Sequence, residues 1–371
     1  MLFAIFATQH KAICIFCKYL LPSKGLFTKE KSLKMSKKDS FTVQSSFIQQ
    51  LKDALPSNIS LAEELSDLLE VSVDSAYRRI RGETALSIDE VVKICTHYKV
   101  PFNPLSHSPE SSITFGIRPL DNDEASFEKY LNDILTDLKK IISFEEREMI
   151  YAAEEVPVFH HYGYKELTEF KFYFWNKSIL NSKFTENKKF EFGIIKDSWI
   201  DLAKQIFNSY SKLPSTEIWT ENTINSTLKQ IAFYWDSGLF KNNTEALVVA
   251  EQLELMLISI EKQAEHSLKF VTGKTETLSE HKFLLYQSDV TIANNCMLVK
   301  TKSAMATYIS YHTMNFMTTS STNFCNDTDM WLKNLIKKAT LLSGVSEKQR
   351  YQFFKAKYES INNLKDKISK G

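Results

Sequence analysis

Two S-x-x-E boxes, Ser60 with Glu63 and Ser87 with Glu90, bracket the stretch that most narrows what this chain can fold into. In each box the hydroxyl can satisfy one orphan N–H of a helix start and the carboxylate another, so each predicts an N-terminus. Behind the first, Leu61, Leu65, Leu68 and Leu69 share one helical face, with Glu63, Glu64 and Asp67 left for water. Behind the second, Ile88, Val91, Val92 and Cys95 are expected to bury. Between them Ser72 can cap a short helix that turns Val73, Ala76, Tyr77 and Ile80 inward, and Gly82 stands where a C′ glycine ends a helix. The outward face of that helix then carries Asp74, Ser75, Arg78, Arg79 and Arg81.

Two helices joined by a short turn, the second arginine-rich and facing out, are the parts of a helix-turn-helix. The run LAEELSDLLEVSVDSAYRRIRGE followed by LSIDEVVKICTHYKVPFNPL resembles the phage-repressor-like (XRE-class) regulators, and is more closely similar to helix-turn-helix regulators common in Bacteroidetes, those called BetR-type. Residues 41–55, with Phe47, Ile48, Leu51 and Leu55 at helical spacing before Pro56, supply the leading helix. The resemblance implies a four-to-five-helix DNA-binding domain whose recognition helix starts at Ser72, double-stranded DNA as partner, and a homodimer on paired half-sites. Asp74, Ser75 and Arg78 are then best placed for base edges. Arg78 suits guanine O6 and N7 and Asp74 suits cytosine N4, while Arg79 and Arg81 hold phosphates. Three positions depart from the family's habit: Ser66 where a small alanine is usual, Glu70 where the turn usually has glycine, and Arg79 where a β-branched or aromatic residue often packs. The alternative is a docking module for another protein, an adaptor whose arginines form a salt-bridged face with Asp74 and Glu83.

Charge supports DNA only locally. The whole chain of 371 residues carries a net +1, and residues 35–110 hold eight Lys/Arg against eleven Asp/Glu, a net of −3. Affinity for phosphate must therefore come from where Arg78, Arg79, Arg81, Lys93 and Lys99 sit.

Around this unit the chain divides by composition. Residues 1–34 read as a disordered or mis-called extension before Met35; their apolar runs, broken by His10 and Lys11, are too short to span a membrane, and they lack a basic signal-peptide start. Residues 35–105 form the helix-turn-helix domain, residues 106–123 a linker rich in proline and serine, and residues 124–371 a C-terminal regulatory or dimerisation domain. In residues 124–144, Phe127, Leu131, Ile134, Leu138 and Ile141 make a heptad seam, which suits either pairing of two copies or packing within one domain. Helices are expected over residues 165–180, 197–210, 220–235 and 244–268, the last apolar enough to be central. Residues 149–153 and 156–159 read as short strands or connectors. Period-two patterning over residues 283–286, 297–302 and 305–311, with Phe316 following, reads as antiparallel strands. Asn326 to Asp329 can cap a helix running to Leu342, and a last helix follows from Ser346. The expected fold is mainly α, with a larger helical C-terminal domain that carries a small antiparallel sheet.

Signatures of catalysis are missing: no G-x-G-x-x-G, phosphate loop, G-x-S-x-G elbow or H-E-x-x-H occurs. Five scattered cysteines point to a reducing compartment, and Cys14 with Cys17 makes only a lone C-x-x-C. His160, His161, His266, His281 and His312 read as core or surface groups in preference to metal ligands. The aromatics of residues 151–175 read as core in preference to a ligand pocket. The expectation is therefore a cytoplasmic, non-enzymatic regulator with no cofactor and no metal, open to a small-molecule or protein effector.

Overall fold

The structure is a computed structural model and describes residues 43–55, 59–98, 100, 102, 113–271 and 277–370. The N-terminal extension, Cys14, Cys17, Lys99 and residues 106–112 of the expected linker lie outside the described residues.

The N-terminal head is built of α1 (Val43–Ala54), α2 (Leu61–Leu69), α3 (Val73–Ile80) and α4 (Ile88–Tyr98). Phe47, Ile48 and Leu51 of α1 close over Leu61, Leu65, Ala76 and Ile94, the periodic apolar positions of the other three helices. Gln44 pins the leading helix to the far loop, its Nε2 donating to the Arg79 and Thr84 carbonyls at 2.8 Å each and its Oε1 accepting the Leu86 N–H at 3.0 Å. The second S-x-x-E box forms in both directions, Ser87 N–H to Glu90 at 2.8 Å and Glu90 N–H to Ser87 Oγ at 3.1 Å. The first does not: Ser60 is the N-cap residue of α2 but makes no side-chain cap bond.

The remainder corrects the expected mainly α fold. It is an α/β fold with one nine-stranded mixed sheet, ordered β1-β8-β7-β6-β2-β3-β5-β4, with β9 paired to β5. The strands are β1 (Gly116–Ile117), β2 (Arg147–Ala153), β3 (Ser215–Trp219), β4 (Leu268–Val271), β5 (Thr277–Gln287), β6 (Cys296–Thr301), β7 (Met305–Tyr311), β8 (Asn315–Thr319) and β9 (Thr340–Leu341). Of the strands expected as antiparallel, residues 297–302 and 305–311 fall in the β6–β7–β8 meander, whereas residues 283–286 lie in β5, which is antiparallel to β4 and β9 but parallel to β3. The centre, however, is parallel, with Met149 beside Ser215 and Ser215 beside Phe283. β2 is covered on both faces, so its MIYAA run shows no alternation to read. β3 carries a charged residue, Glu217, at its midpoint. Part of the stretch expected as linker also enters the sheet, as β1 against β8.

Helices cover both faces of this sheet. Ile150, Ala152, Ile218 and Leu298 meet α11 (Thr322–Lys338) through Cys325, Leu332 and Leu335. On the other face Met149, Tyr151, Phe283, Leu285, Met297 and Val299 join the main core. That core includes α5 (Glu124–Ile142), α6 (Val158–His161), α7 (Lys165–Phe174), α8 (Asp197–Tyr210), α9 (Asn225–Asp236), α10 (Asn243–His266) and α12 (Glu347–Lys370). α10 is the buried centre, opened by a capping box of Asn242 and Glu245. The heptad seam of α5 is consumed here: Phe127, Leu131, Leu138 and Ile141 are buried in the chain's own core. The aromatics Phe159, Tyr162, Phe170, Phe172, Tyr173 and Trp175 are likewise core. Among the described residues no helix is long and apolar enough to cross a membrane.

Candidate nucleic-acid interface

α2 and α3 meet across a turn whose geometry accounts for two of the unusual residues. Glu70 adopts φ 57°, the left-handed conformation that a glycine would take without strain. Ser66 donates from Oγ to the Val71 carbonyl at 2.7 Å, while the Val71 N–H returns to the Ser66 carbonyl at 3.1 Å. The hydroxyl thus satisfies a carbonyl that an alanine would leave to the solvent. Ser72 caps α3, accepting the Ser75 N–H at 3.3 Å, and Gly82 takes φ 75° beyond its end.

Arg79, the third departure, points along the head and is not free for phosphate. Its guanidinium donates from Nε and Nη2 to Glu90 at 3.1 and 2.8 Å, and from Nη1 to the Ser75 hydroxyl at 2.6 Å. Its side chain is 14% exposed. Arg79 therefore ties α3 to α4, and it holds Ser75 with it. Of the six residues singled out from the sequence, Ser75 and Arg79 are engaged inside the head, Ser72 is spent as a cap, and Asp74, Arg78 and Arg81 face out. Burial alone would raise the Glu90 carboxyl, but the hydrogen bonds from Arg79 and from the Ser87 amide outweigh it and hold Glu90 below its ordinary value.

The outward stripe also contains two residues expected inside. Val73 and Tyr77 are exposed, Tyr77 by 46%, and with Arg81 they lie at i, i+4 and i+8 beside Asp74 and Arg78. On α4, Ile88 and Val92 are exposed as well, Ile88 by 83%; Val91 and Cys95 pack on the core as expected, and Ile94 and Tyr98 join them. The physical reason is that Ala76 and Ile94 set the buried line of two short helices, which leaves their neighbours one position round. Ala76 is the only fully buried residue of α3 among those described.

Glu83 offsets two of the cations. It accepts from Arg81 Nε and Nη2 at 2.7 and 3.2 Å, and Arg78 Nε lies 3.8 Å from it. The hydrogen bond from Arg81 holds the Glu83 carboxyl below its ordinary value. Arg78 and Arg81 nevertheless keep 55% and 52% of their side chains exposed. Lys93 pairs with Glu70 at 3.2 Å on the surface.

A second polar cluster lies deep in the C-terminal part. Glu217 is fully buried and shares a 2.8 Å hydrogen bond with His160 Nε2, accepts from the Tyr210 hydroxyl, and accepts from Trp219 Nε1 at 2.9 Å. Lys269 donates to the Tyr210 carbonyl at 3.0 Å and lies 3.2 Å from that ring's centroid. Both carboxylate oxygens are spent on neighbours, so the cluster satisfies a buried charge. Among the described residues no three His, Cys, Asp or Glu converge as a metal site. Compared with known proteins, the chain matches no family model, no curated protein and no solved structure.

Proposed function

We propose that the chain is a sequence-specific DNA-binding transcriptional regulator, with the head reading the major groove and the C-terminal α/β part serving oligomerisation or sensing. One observation carries this reading: Asp74, Tyr77, Arg78 and Arg81 form a single exposed stripe on a short capped helix that a second helix braces across a tight turn. A helix presented in this way fits a groove wide enough to admit it. Arg78 takes guanine O6 and N7, Asp74 accepts from cytosine N4 or orients Arg78, and Arg81 holds a phosphate. Tyr77 adds an apolar contact for a thymine methyl or a sugar. Two copies act together on half-sites one helical turn apart, through a surface other than the α5 seam.

A specific observation favours a second reading. Val73 and Tyr77 on α3 and Ile88 and Val92 on α4 expose apolar surface in a head whose surrounding sequence is net acidic. That combination suits an adaptor docking another protein.

Selection of the purified full chain on random duplexes at two salt concentrations separates the readings. An enriched palindrome is the outcome expected of a dimeric regulator. Salt-insensitive or undetectable retention would overturn DNA reading in favour of the adaptor.

A further inference from the structure

The C-terminal part encloses a cavity of about 300 Å³ between α5 and the sheet. Its floor is Met149, Met297 and Val299, neighbours across β2 and β6, and Leu138, Ile141 and Phe159 wall it. These side chains are buried and apolar, so the interior offers dispersion contacts and almost no hydrogen bonds. The mouth is different. Arg118 pairs with Asp137 at 2.8 Å, and Lys129 with Asp133 at 3.3 Å. Two cations meet two anions there, so a net charge on an incoming molecule would gain one partner only by breaking an existing pair.

Among the described lining residues two hydroxyls are left over, those of Thr318 and Tyr308. Tyr308 is the register partner of Met297 and so faces the cavity floor from β7. Its hydroxyl makes no hydrogen bond with another described residue, whereas the nearby Tyr130 hydroxyl is already spent on the Met314 carbonyl at 2.7 Å. Burial first, and then Asp137, push the Tyr308 phenol above its ordinary value, so it stays a neutral donor and acceptor.

We infer that this cavity is a binding site for a neutral, largely apolar small molecule bearing one hydrogen-bonding group, of at least about ten heavy atoms. The Tyr308 hydroxyl meets that group, and the methionine and valine floor takes the apolar body. The methionines suit this role because an unbranched thioether adapts to irregular shapes. The inference does not depend on DNA binding by the head.

Titration of the full chain with n-nonanol, nonanoate and nonylammonium, by calorimetry and by thermal shift, compares one apolar length with three head groups. Saturable one-to-one binding of nonanol is expected, at least tenfold tighter than either ion. Val299→Phe and Leu138→Phe each place a ring in the cavity; whichever of them folds should weaken nonanol at least tenfold while the melting temperature without ligand holds or rises. Tyr308→Phe should weaken nonanol three- to tenfold. Either ion binding as tightly as nonanol, a nonanol affinity unchanged by both cavity-filling variants, or no saturable binding would overturn the inference.

Discussion

The guanidinium of Arg79 lies 2.8 Å from the carboxylate of Glu90, joining the exposed helix of the head to the helix behind it. The pair is partly buried and its partners are further bonded to Ser75 and to the Ser87 amide, so it is worth more than a surface ion pair. Arg79→Ala should cost the head about 1–3 kcal/mol, because Glu90 is left without its cation. Hydrogen exchange at α3 and α4 amides measures that cost. The salt slope of DNA binding should not change, and a slope reduced by about 1 would show Arg79 on phosphate instead. The Glu90 carboxyl is lowered in the fold from 4.5, so its contribution is present above pH 4.5 and is lost as the pH falls through the lower folded value.

Under the proposed DNA-binding function, Glu83 competes with phosphate for both exposed arginines. Glu83→Gln should raise affinity for any duplex several-fold at low salt, with the gain shrinking as salt screens it. Arg78→Ala should cost about 1–3 kcal/mol on a selected duplex and far less on random DNA. Equal losses of Arg78→Ala on both would remove Arg78 from base reading; filter binding at two salt concentrations reports all of these values.

The turn residue Glu70 stores strain. A non-glycine side chain in the left-handed region costs on the order of 1 kcal/mol, against a somewhat smaller entropic penalty for glycine. Glu70→Gly should therefore stabilise the head by about 0.5 kcal/mol, even though the exposed pair with Lys93 is lost. Faster exchange of the α2 and α3 amides in this variant would contradict the assignment.

Lys269 is a buried amine that the fold keeps near neutrality. Burial pushes it down to about 7 from 10.5, with Glu217 pulling the other way. A base lowered in the fold binds fewer protons than its unfolded form between those values, so its cost is full below pH 7 and fades as the pH rises toward 10.5. Lys269→Met should raise the melting temperature at pH 7 by several degrees, and the gain should shrink by pH 10. Calorimetric scans at the two pH values provide the check, and a gain independent of pH would assign the effect to packing alone.

The head was legible in the sequence wherever one residue had one reason to be present. Ser72 before α3, Gly82 after it, and the Ser87–Glu90 box act within a single turn, and Asp74, Arg78 and Arg81 face out as their spacing implies. Arg79 was not legible, because its partner Glu90 belongs to the next helix and sequence spacing cannot pair them. Val73, Tyr77, Ile88 and Val92 were misassigned for a related reason: α3 and α4 span eight and eleven residues, too few turns for periodicity to choose between adjacent faces. In the C-terminal part α8 begins and ends where its pattern does, at Asp197 and Tyr210. α11 instead starts at Thr322, four residues before the Asn326 cap the sequence suggested. The parallel centre of the sheet stayed hidden because β2 is apolar throughout and β3 holds Glu217, whose partners His160, Tyr210 and Trp219 converge only in three dimensions.

The pairing of Gly116 with Thr318 sets an order of events during synthesis. The head closes its core with residues no later than Phe102, whereas β1 waits for a partner strand some two hundred residues downstream. At roughly 5–20 residues per second that wait lasts about 10–40 s. For that interval a ribosome-bound chain displays a four-helix head whose companion sheet is still unbuilt, so whatever the head contacts is offered to it before the C-terminal part has folded.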